Sequence, residues 1–351
     1  MSKLLDGLSV LVTGGTGSLG KALVAAILEG RFGNPERVLV FSRDEAKQHD
    51  MRMEFLNRRS ATDDLIYQDH SNTLRFRIGD VRSQTDLSRA IDGIDIVIHA
   101  AALKQVPSCE YFPEQALETN CVGTINLIEA LRTTPNRVRT VVGLSTDKAC
   151  EPTNVMGMTK ALQERLLIAA NLNGDRTRFV AVRYGNIVAS RGSVIPLFME
   201  QIRLGKPLTL TSQKMTRFMM PVDAAVETII EALVSALPGE IVVRSAPSVL
   251  IRDVIDALLG ERQLPVKITG MRPGEKLHEI LISHEEAHRA ARIGEFIYLT
   301  PMLPEFSARR QVTPANGLPG ALSSSSNVLG LAETRALFER WQIAKLAAAS
   351  L

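Results

Sequence analysis

The sequence has few cysteines and no long apolar segment. Three cysteines among 351 residues, Cys109, Cys121 and Cys150, are an odd number without paired spacing. This count argues against a disulfide framework and favours a reducing compartment, so we expect a cytoplasmic protein. The apolar stretch near the N-terminus is too short for a signal peptide, and no other run approaches the length that spans a bilayer. We therefore expect a soluble protein without a membrane span.

The sequence also lacks an excess of either charge. Lys and Arg number 41 and Asp and Glu number 38, which gives a formal charge of +3. So small a charge gives no reason to expect nucleic acid or a membrane surface as the main partner. The hydrophobic content of 45% is that of an ordinary globular protein, and the length predicts about two domains.

The first half of the chain alternates β-branched apolar runs with segments of helical period. This alternation predicts a doubly wound α/β fold, in which ligands bind at the carboxyl ends of parallel strands. The predicted strands are residues 8–14, 37–42, 74–80, 94–101, 139–145 and 178–185. The predicted helices between them are residues 18–30, 45–58, 83–92, 114–132 and 157–172.

The alternation loosens after about residue 186, which predicts a change of domain. We expect a dinucleotide-binding Rossmann domain over residues 1–185, to which a segment of about 218–245 returns. A smaller interleaved substrate domain is predicted over residues 186–302. The Pro/Gly/Ser-rich stretch from about residue 303 is predicted to be loop, and LAETRALFERWQIAKLAAA after it has helical spacing.

A glycine-rich loop, TGGTGSLG at residues 13–20, follows the first strand and opens a helix. Glycines in this context permit a tight turn and let backbone N–H groups approach a pyrophosphate at the helix N-terminus. We therefore predict a dinucleotide site. Its predicted residues are Gly14, Thr16, Gly17, Ser18, Leu19 and Gly20 in the loop, Asp80 and Val81 beside the adenine, Ala100 and Ala101 after the fourth strand, and Lys160.

The end of the second strand bears on the choice of dinucleotide. NAD sites usually have an acidic residue here for the ribose 2′-hydroxyl, but FSRDEAKQ supplies Ser42, Arg43 and, a turn later, Lys47. A guanidinium and a hydroxyl suit a 2′-phosphate, so NADP is predicted. The alternative is that Arg43 is a surface charge and Asp44 holds the ribose of NAD.

The stretch STDKACEPTNVMGMTK, residues 145–160, follows the fifth strand. Short-chain dehydrogenases carry Tyr-x-x-x-Lys here, and the phenol handles a substrate proton. This chain has Lys160, but Met156 replaces the tyrosine and has no proton to exchange. Asp147 and Lys148 are a potential acid and base at the same strand end; the alternative is a surface ion pair.

The motifs together resemble the UDP-N-acetylglucosamine 4,6-dehydratases, a polysaccharide-biosynthesis group of the extended short-chain dehydrogenase superfamily. The resemblance runs from about residue 5 to 300, and the joint presence of STDKA and RPGEKLHE makes it highly specific. Its motifs are AALKQVPSCEYFPEQALETN (101–120), STDKACEPTNVMGMTK (145–160), RYGNIVASRGSVIPLF (183–198), MTRFMM (215–220) and RPGEKLHEILIS (272–283).

The resemblance implies a reaction in which hydride leaves C4 of the sugar and later returns to C6, so that a tightly bound NADP is recycled. The resulting 4-ketone acidifies the C5 proton, which a base removes while an acid helps the C6 hydroxyl to leave. Lys148 is the implied base and Asp147 the implied acid. Met156 lines the oxidation site, and we predict that Thr146, Lys160 or Lys148 takes the C4-hydroxyl proton.

The resemblance also implies a substrate site and an assembly. Charge-assisted donors for a diphosphate and acceptors for a ribose are expected there. Relatives are commonly homo-oligomers, so we expect a homo-oligomer. The implied substrate residues are Lys104, Asn186, Arg191, Arg217, Arg272 and Glu275.

Other interpretations of the sequence remain open. HEEAH, residues 284–288, matches the zinc-protease pattern His-Glu-x-x-His, but the charged flanks favour a solvated helix, and we expect no metal. His278 is expected to be structural. The rival functions are a nucleotide-sugar 4-epimerase on the same scaffold and a non-catalytic NADP-binding regulatory protein.

Overall fold

The computed structural model describes residues 3–57, 73–173, 176–188, 190, 192–306 and 310–343. Its strands are β1 (Ser9–Thr13), β2 (Arg37–Ser42), β3 (Leu74–Ile78), β4 (Ile96–His99), β5 (Thr140–Leu144), β6 (Arg178–Arg183), β7 (Asn186–Ile187), β8 (Leu208–Leu210), β9 (Thr216–Met220), β10 (Ile241–Arg244), β11 (Ser248–Leu250), β12 (Val266–Ile268), β13 (Ile280–Ile282), β14 (Ala290–Ile293), β15 (Phe296–Leu299), β16 (Leu322–Ser323) and β17 (Val328–Leu329).

The α-helices are α1 (Ser18–Leu28), α2 (Glu45–Asn57), α3 (Gln84–Ala90), α4 (Val106–Tyr111), α5 (Pro113–Leu117), α6 (Gly123–Thr133), α7 (Val155–Ala170), α8 (Val194–Arg203), α9 (Val222–Ser235), α10 (Ile251–Leu259), α11 (His284–Ala287) and α12 (Leu331–Arg340). A π-helical turn, Glu118–Val122, joins α5 to α6. No helix in the described part of the chain is both long and apolar enough to cross a bilayer.

The largest sheet has the strand order β14-β15-β10-β6-β5-β4-β1-β2-β3. The pairings from β3 to β10 are parallel, and β15 and β14 continue the sheet antiparallel. The predicted doubly wound α/β fold is therefore confirmed. The chain order reverses at β1 and β4, and a crevice forms there beyond the carboxyl ends of the strands. The glycine-rich loop follows β1 and therefore opens at this crevice.

The strands send side chains alternately to two apolar layers, as a pleated sheet requires. Leu11 of β1 belongs to one layer, where helices α3, α6 and α7 cover the sheet. Val10 and Val12 belong to the other layer, which α1 and α9 cover. Because both faces of the central sheet are buried, strands β1, β2, β4, β5 and β6 are mostly continuous apolar runs, whereas the edge strand β3 alternates apolar residues with arginines.

A smaller lobe contains the four-stranded sheet β17-β11-β9-β7 and a separate apolar cluster, to which α8, α10 and α12 contribute. The division into domains stays a prediction. The chain returns to the large sheet at β10, within the predicted returning segment, and again at β14 and β15, which lie beyond it. Helix α12 ends at Arg340, and the predicted helical residues from 344 onward lie outside the described residues.

Candidate active site

The glycine-rich loop packs too closely for side chains. Gly14 has φ +65°, and a Cβ atom there would lie 2.8 Å from the backbone of Ala101. A Cβ atom at Gly20 would lie 2.6 Å from the Cα atom of Gly15. Helix α1 begins directly after Gly17, which provides no side-chain cap. The loop therefore presents backbone at a helix N-terminus, as a pyrophosphate requires.

Two clefts meet beside this loop. The glycine-loop cleft has a volume of about 490 Å³ and runs from the loop to the end of β5. The arginine cleft, of about 510 Å³, lies between α8, β9 and the loop that contains Arg272. Six residues line both clefts, and Lys148 is the charged one among them. These residues are Val106, Pro107, Lys148, Asn186, Gly192 and Ser193.

Most of the predicted site residues line one cleft or the other. Those on the glycine-loop cleft are Gly14, Gly17, Ser18, Leu19, Gly20, Ala100, Ala101, Lys104, Thr146, Met156 and Lys160. Those on the arginine cleft are Arg217, Arg272 and Glu275, and Lys148 and Asn186 line both. Those that line neither are Thr16, Ser42, Arg43, Lys47, Asp80, Val81 and Asp147. Arg191 lies outside the described residues.

Asp147 and Lys148 stand in a single 3₁₀ turn directly after β5. The turn buries Asp147 completely, and the Lys148 Nζ atom lies 3.0 Å from its Oδ1 atom. Thr146 donates its hydroxyl hydrogen to the same oxygen over 2.9 Å. The alternative of a surface ion pair is therefore wrong, because the carboxylate is shielded from solvent.

A second carboxylate, which sequence reasoning missed, completes this cluster. The Oε1 atom of Glu279 lies 3.1 Å from Lys148 Nζ and 3.7 Å from Arg217 Nε. Glu279 is 1% exposed and borders the arginine cleft. It belongs to the motif RPGEKLHE, but no local spacing rule pairs that motif with STDKA. Only the packing of β13 beside the 3₁₀ turn brings the two together.

The two carboxylates determine the charge of Lys148. Burial alone lowers a lysine pKa, but Asp147 and Glu279 outweigh burial and raise the pKa of Lys148 above its ordinary value. Lys148 is thus an ammonium at neutral pH in this arrangement. Each carboxylate also has one buried oxygen, Asp147 Oδ2 and Glu279 Oε2, without a hydrogen-bond partner among the described residues.

Lys160 lies in a different environment on α7. It is buried, and its Nζ atom donates to Gln163 Oε1, while Gln163 donates to Thr124 Oγ1 over 3.1 Å. Burial lowers the pKa of Lys160 to about 8, although Glu164 and Cys121 act in the opposite direction. A neutral amine is therefore accessible near physiological pH. Among the three groups predicted to take a C4-hydroxyl proton, this observation favours Lys160.

Met156 fills the position of the absent tyrosine as an apolar side chain. It is buried and packs with Cys109 and Ala116. The π-helical turn supports the same wall of the cleft: Asn120 accepts a hydrogen bond from Leu103 N over 2.8 Å and donates one to Thr159 over 3.0 Å. These bonds fix the loop after β4 against α7, a support that the periodicity of the sequence does not reveal.

At the end of β2, Ser42 is buried and its hydroxyl accepts a hydrogen bond from Gln48 over 3.0 Å. Arg43 lies 3.5 Å from the carboxylate of Asp80, which Arg82 binds more closely, at 2.7 Å. Lys47 forms an ion pair with the neighbouring Asp44, so that carboxylate already has a cationic partner. The choice between NADP and NAD stays a prediction.

The zinc-protease pattern HEEAH forms the short helix α11 and contributes to an internal ion-pair cluster. Glu286 lies 2.7 Å from the buried Arg183, which Glu164 binds at 2.6 Å from the other side. Within the residues that the structure describes, no group of three His, Cys, Asp or Glu side chains could hold a metal. His278 lies 2.8 Å from Thr216 Oγ1, beneath the arginine cleft.

The large parallel sheet, the glycine-rich loop and the second lobe define an extended short-chain dehydrogenase fold. The model of the polysaccharide biosynthesis protein family matches residues 10–301. The chain therefore belongs to the polysaccharide biosynthesis protein family.

Two proteins of similar sequence differ in how they are named. The chain is 43% identical over 304 residues to an uncharacterized membrane protein of Methanocaldococcus jannaschii, covering 84% of this chain and 86% of the relative. It is 42% identical over 299 residues to a UDP-glucose 4-epimerase of Rickettsia bellii, covering 84% of this chain and 83% of the relative.

Solved structures extend the similarity. The X-ray structure of Pen from Bacillus thuringiensis has a TM-score of 0.84 at 33% identity and covers 97% of this chain and 99% of its own. DesIV, a dTDP-glucose 4,6-dehydratase of Streptomyces venezuelae solved with NAD and TYD, has a TM-score of 0.65 at 23% identity and covers 77% of this chain and 88% of its own. The chain is therefore related to proteins named UDP-glucose 4-epimerase, and it shares its fold with a dTDP-glucose 4,6-dehydratase.

Proposed function

We propose that the protein is a nucleotide-sugar 4,6-dehydratase that converts UDP-N-acetylglucosamine to a UDP-4-keto-6-deoxy sugar. The observation that carries this proposal is the position of Lys148, which borders both clefts and contacts the buried Asp147. Oxidation at C4 alone requires one proton acceptor. Elimination requires a second acid-base pair beside the sugar, and this ion pair supplies it.

The residues of the glycine-loop cleft fit a dinucleotide. Gly14 and Gly20 allow a turn so tight that a Cβ atom at either position would collide with backbone, and the first residues of α1 line the cleft. A nicotinamide cofactor held there would supply the hydride chemistry, with oxidation at C4 and reduction at C6. The proposed cofactor is NADP, with Arg43 and Lys47 near its 2′-phosphate and Asp80 and Val81 near its adenine.

Lys160 is the proposed base for the C4-hydroxyl proton. Its pKa of about 8 makes the neutral amine available, and Met156 beside it offers no competing proton. Thr146 borders the same cleft and orients Asp147 through its hydroxyl.

The elimination uses the Asp147–Lys148 pair. Transfer of one proton from Lys148 Nζ to Asp147 Oδ1, across 3.0 Å, gives a neutral amine and a protonated carboxyl. The amine then takes the C5 proton, the C5–C6 double bond forms, and the carboxyl gives its proton to the C6 oxygen, which leaves as water. Lys148 is then an ammonium and Asp147 a carboxylate again, so the proton count of the pair is restored. After reduction at C6 the ammonium returns a proton to C5, which leaves Lys148 as a neutral amine. The proton that Lys160 took from the C4 hydroxyl balances this loss, and exchange with solvent restores both amines before the next turnover.

The arginine cleft is the proposed nucleotide-sugar site. Arg217 and Arg272 supply positive charge for a diphosphate, Glu275 can accept from a ribose hydroxyl, and Asn186 lies where the two clefts meet. Lys104 is proposed to reach the sugar and Arg191 the diphosphate. The protein is further proposed to act in the cytoplasm, as a homo-oligomer.

A second candidate, a nucleotide-sugar 4-epimerase, is favoured by the names of the Rickettsia relatives. One assay separates the two: purified protein is incubated with UDP-N-acetylglucosamine, and the product is analysed by mass spectrometry, with NADP and NAD compared as added cofactors. A dehydratase releases a product lighter by one water. An isobaric product supports the epimerase and contradicts dehydration, and tight NADP binding without turnover supports a regulatory protein.

A further inference from the structure

Glu279 occupies a position that the proposed reaction has not yet used. It precedes β13, and its backbone is fixed on both sides by Ser324: Glu279 N donates to Ser324 Oγ over 2.9 Å, and Ser324 N donates to Glu279 O over 2.8 Å. The side chain is buried, so its negative charge is poorly solvated. A buried carboxylate is costly unless it is paired, and Glu279 is paired with Lys148 and Arg217.

The contacts of Lys148 show what this pairing does. An ammonium has three N–H donors, and Lys148 Nζ donates one of them to Asp147 Oδ1 over 3.0 Å. Glu279 Oε1 lies 3.1 Å from the same Nζ atom and forms an ion pair with it. Among the described residues this arrangement leaves a donor for a ligand at the junction of the two clefts. Held by two fixed carboxylates from different elements, the Nζ atom has little freedom to leave this junction.

Charges of both signs surround Lys148. Asp147 and Glu279 carry two negative charges, and Lys148 and Arg217 carry two positive charges. Glu275 also faces the cluster, 3.8 Å from Arg217, and so does Tyr184, whose pKa burial and Asp147 raise. Removal of the Glu279 charge would make the cluster less negative and leave Asp147 alone to hold the amine.

We propose that Glu279 is a positioning residue for elimination, which holds the Lys148 amine between itself and Asp147 at the junction of the clefts. This inference rests on the proposed dehydratase function and assigns no part in C4 oxidation to Glu279. Because it acts through Lys148, its loss changes the proton transfers at C5 and C6 and not the hydride transfer from C4.

The test compares Glu279→Gln, Glu279→Asp and the surface control Glu285→Gln in the full-length protein with NADP and UDP-N-acetylglucosamine. Two quantities are measured across pH: the steady-state rate of water loss, by mass spectrometry, and the reduction of bound nicotinamide in one turnover, by absorbance. Glu279→Gln is expected to lower kcat for water loss by about 10- to 100-fold, as a displaced catalytic group does. The single-turnover rate of nicotinamide reduction at saturating substrate is expected to stay at the wild-type value.

The pH profile separates positioning from a folding defect. With one negative charge fewer beside it, the Lys148 ammonium loses its proton more readily. The proposed elimination uses this proton, so the alkaline limb, where the rate of water loss declines, moves to lower pH in Glu279→Gln. Glu279→Asp keeps the charge and is expected to restore the limb toward wild type even if Glu279→Gln folds poorly.

The possible failures are distinct. A wild-type protein that releases no water overturns the proposed function and this inference together. An active wild type with an unshifted limb and unchanged kcat in Glu279→Gln overturns this inference alone. Equal loss of nicotinamide reduction and water loss in a folded Glu279→Gln protein also overturns it.

Discussion

Two lysines of the stretch at residues 145–160 lie in opposite environments. Lys148 lies between Asp147 and Glu279, which hold it as an ammonium, whereas Lys160 contacts the neutral amide of Gln163. Burial acts on both, yet the pKa of Lys148 is raised and that of Lys160 is lowered to about 8. The difference comes from the charge of the neighbours and not from burial.

This contrast suggests a division of work between the two amines. Lys160 can lose its proton alone and suits the C4 hydroxyl, whose oxidation comes first. Lys148 becomes neutral only by passing its proton to a carboxylate, which creates an acid beside the base that elimination requires. The substitution of the usual tyrosine by Met156 therefore removes one proton carrier from a site that holds two others.

The largest effect is expected from Lys148→Ala. Without the amine, the C5 proton has no acceptor, and formation of the dehydrated product should fall by about 10²- to 10⁴-fold, the range typical of general acid-base groups. Mass spectrometry of the product measures this loss. A variant that dehydrates the substrate at the wild-type rate would exclude Lys148 as the base.

Lys160→Arg tests the other amine, and the expected loss of rate is nearly as large as that of Lys148→Ala. A guanidinium keeps the positive charge but stays protonated, so C4 oxidation should fall by about 10²-fold or more. In the wild-type protein, the neutral amine is the acceptor, so oxidation should accelerate as pH rises through about 8. The single-turnover rate of nicotinamide reduction across pH measures both. If C4 oxidation in Lys160→Arg still accelerated as pH rises through about 8, a group other than Lys160 would be the one that titrates.

Gln163→Glu would give Lys160 a carboxylate neighbour like those of Lys148. The added charge favours the ammonium, so the pH limb of C4 oxidation should move upward. A shift of one pKa unit corresponds to about a tenfold lower rate at neutral pH. Activity should recover at alkaline pH, which a folding defect would not allow. An unshifted limb would mean that Lys160 is not the titrating group.

The smallest effect is expected from Met156→Leu. The two side chains are similar in volume, and a thioether exchanges no proton, so kcat should change by about threefold or less. Steady-state kinetics measures it. A much larger loss, with unchanged thermal stability, would give the sulfur a role that packing does not explain.

The sequence predicted the large sheet well because its signals are local. β-branched runs marked β1 to β6 to within about two residues at each end, and the glycine-rich loop was identified by strand-loop-helix order. Neither β14 nor β15 was assigned to this sheet, because pairing with a distant edge strand leaves no periodic signal.

The candidate site was predicted only in part, for a related reason. Asp147, Lys148 and Lys160 stand in one motif and could be identified together. Glu279 could not, because its contact with Lys148 depends on how β13 packs against the 3₁₀ turn. Gln163 lies three residues after Lys160 on a predicted helix, so that contact is local, but the burial of Lys160 depends on how α7 packs. The carboxylates around Lys148 and the burial of Lys160 shift the two pKa values in opposite directions, so the difference between the amines is visible only in three dimensions.

The most direct test of this division is the absorbance of the nicotinamide after Lys148→Ala protein, loaded with NADP, is mixed with UDP-N-acetylglucosamine. C4 oxidation depends on Lys160 and should proceed, so the reduced nicotinamide should form and persist, because no dehydrated product exists to reoxidise it. Absence of the reduced form in a folded, substrate-binding variant would contradict the separation of oxidation at Lys160 from elimination at Lys148.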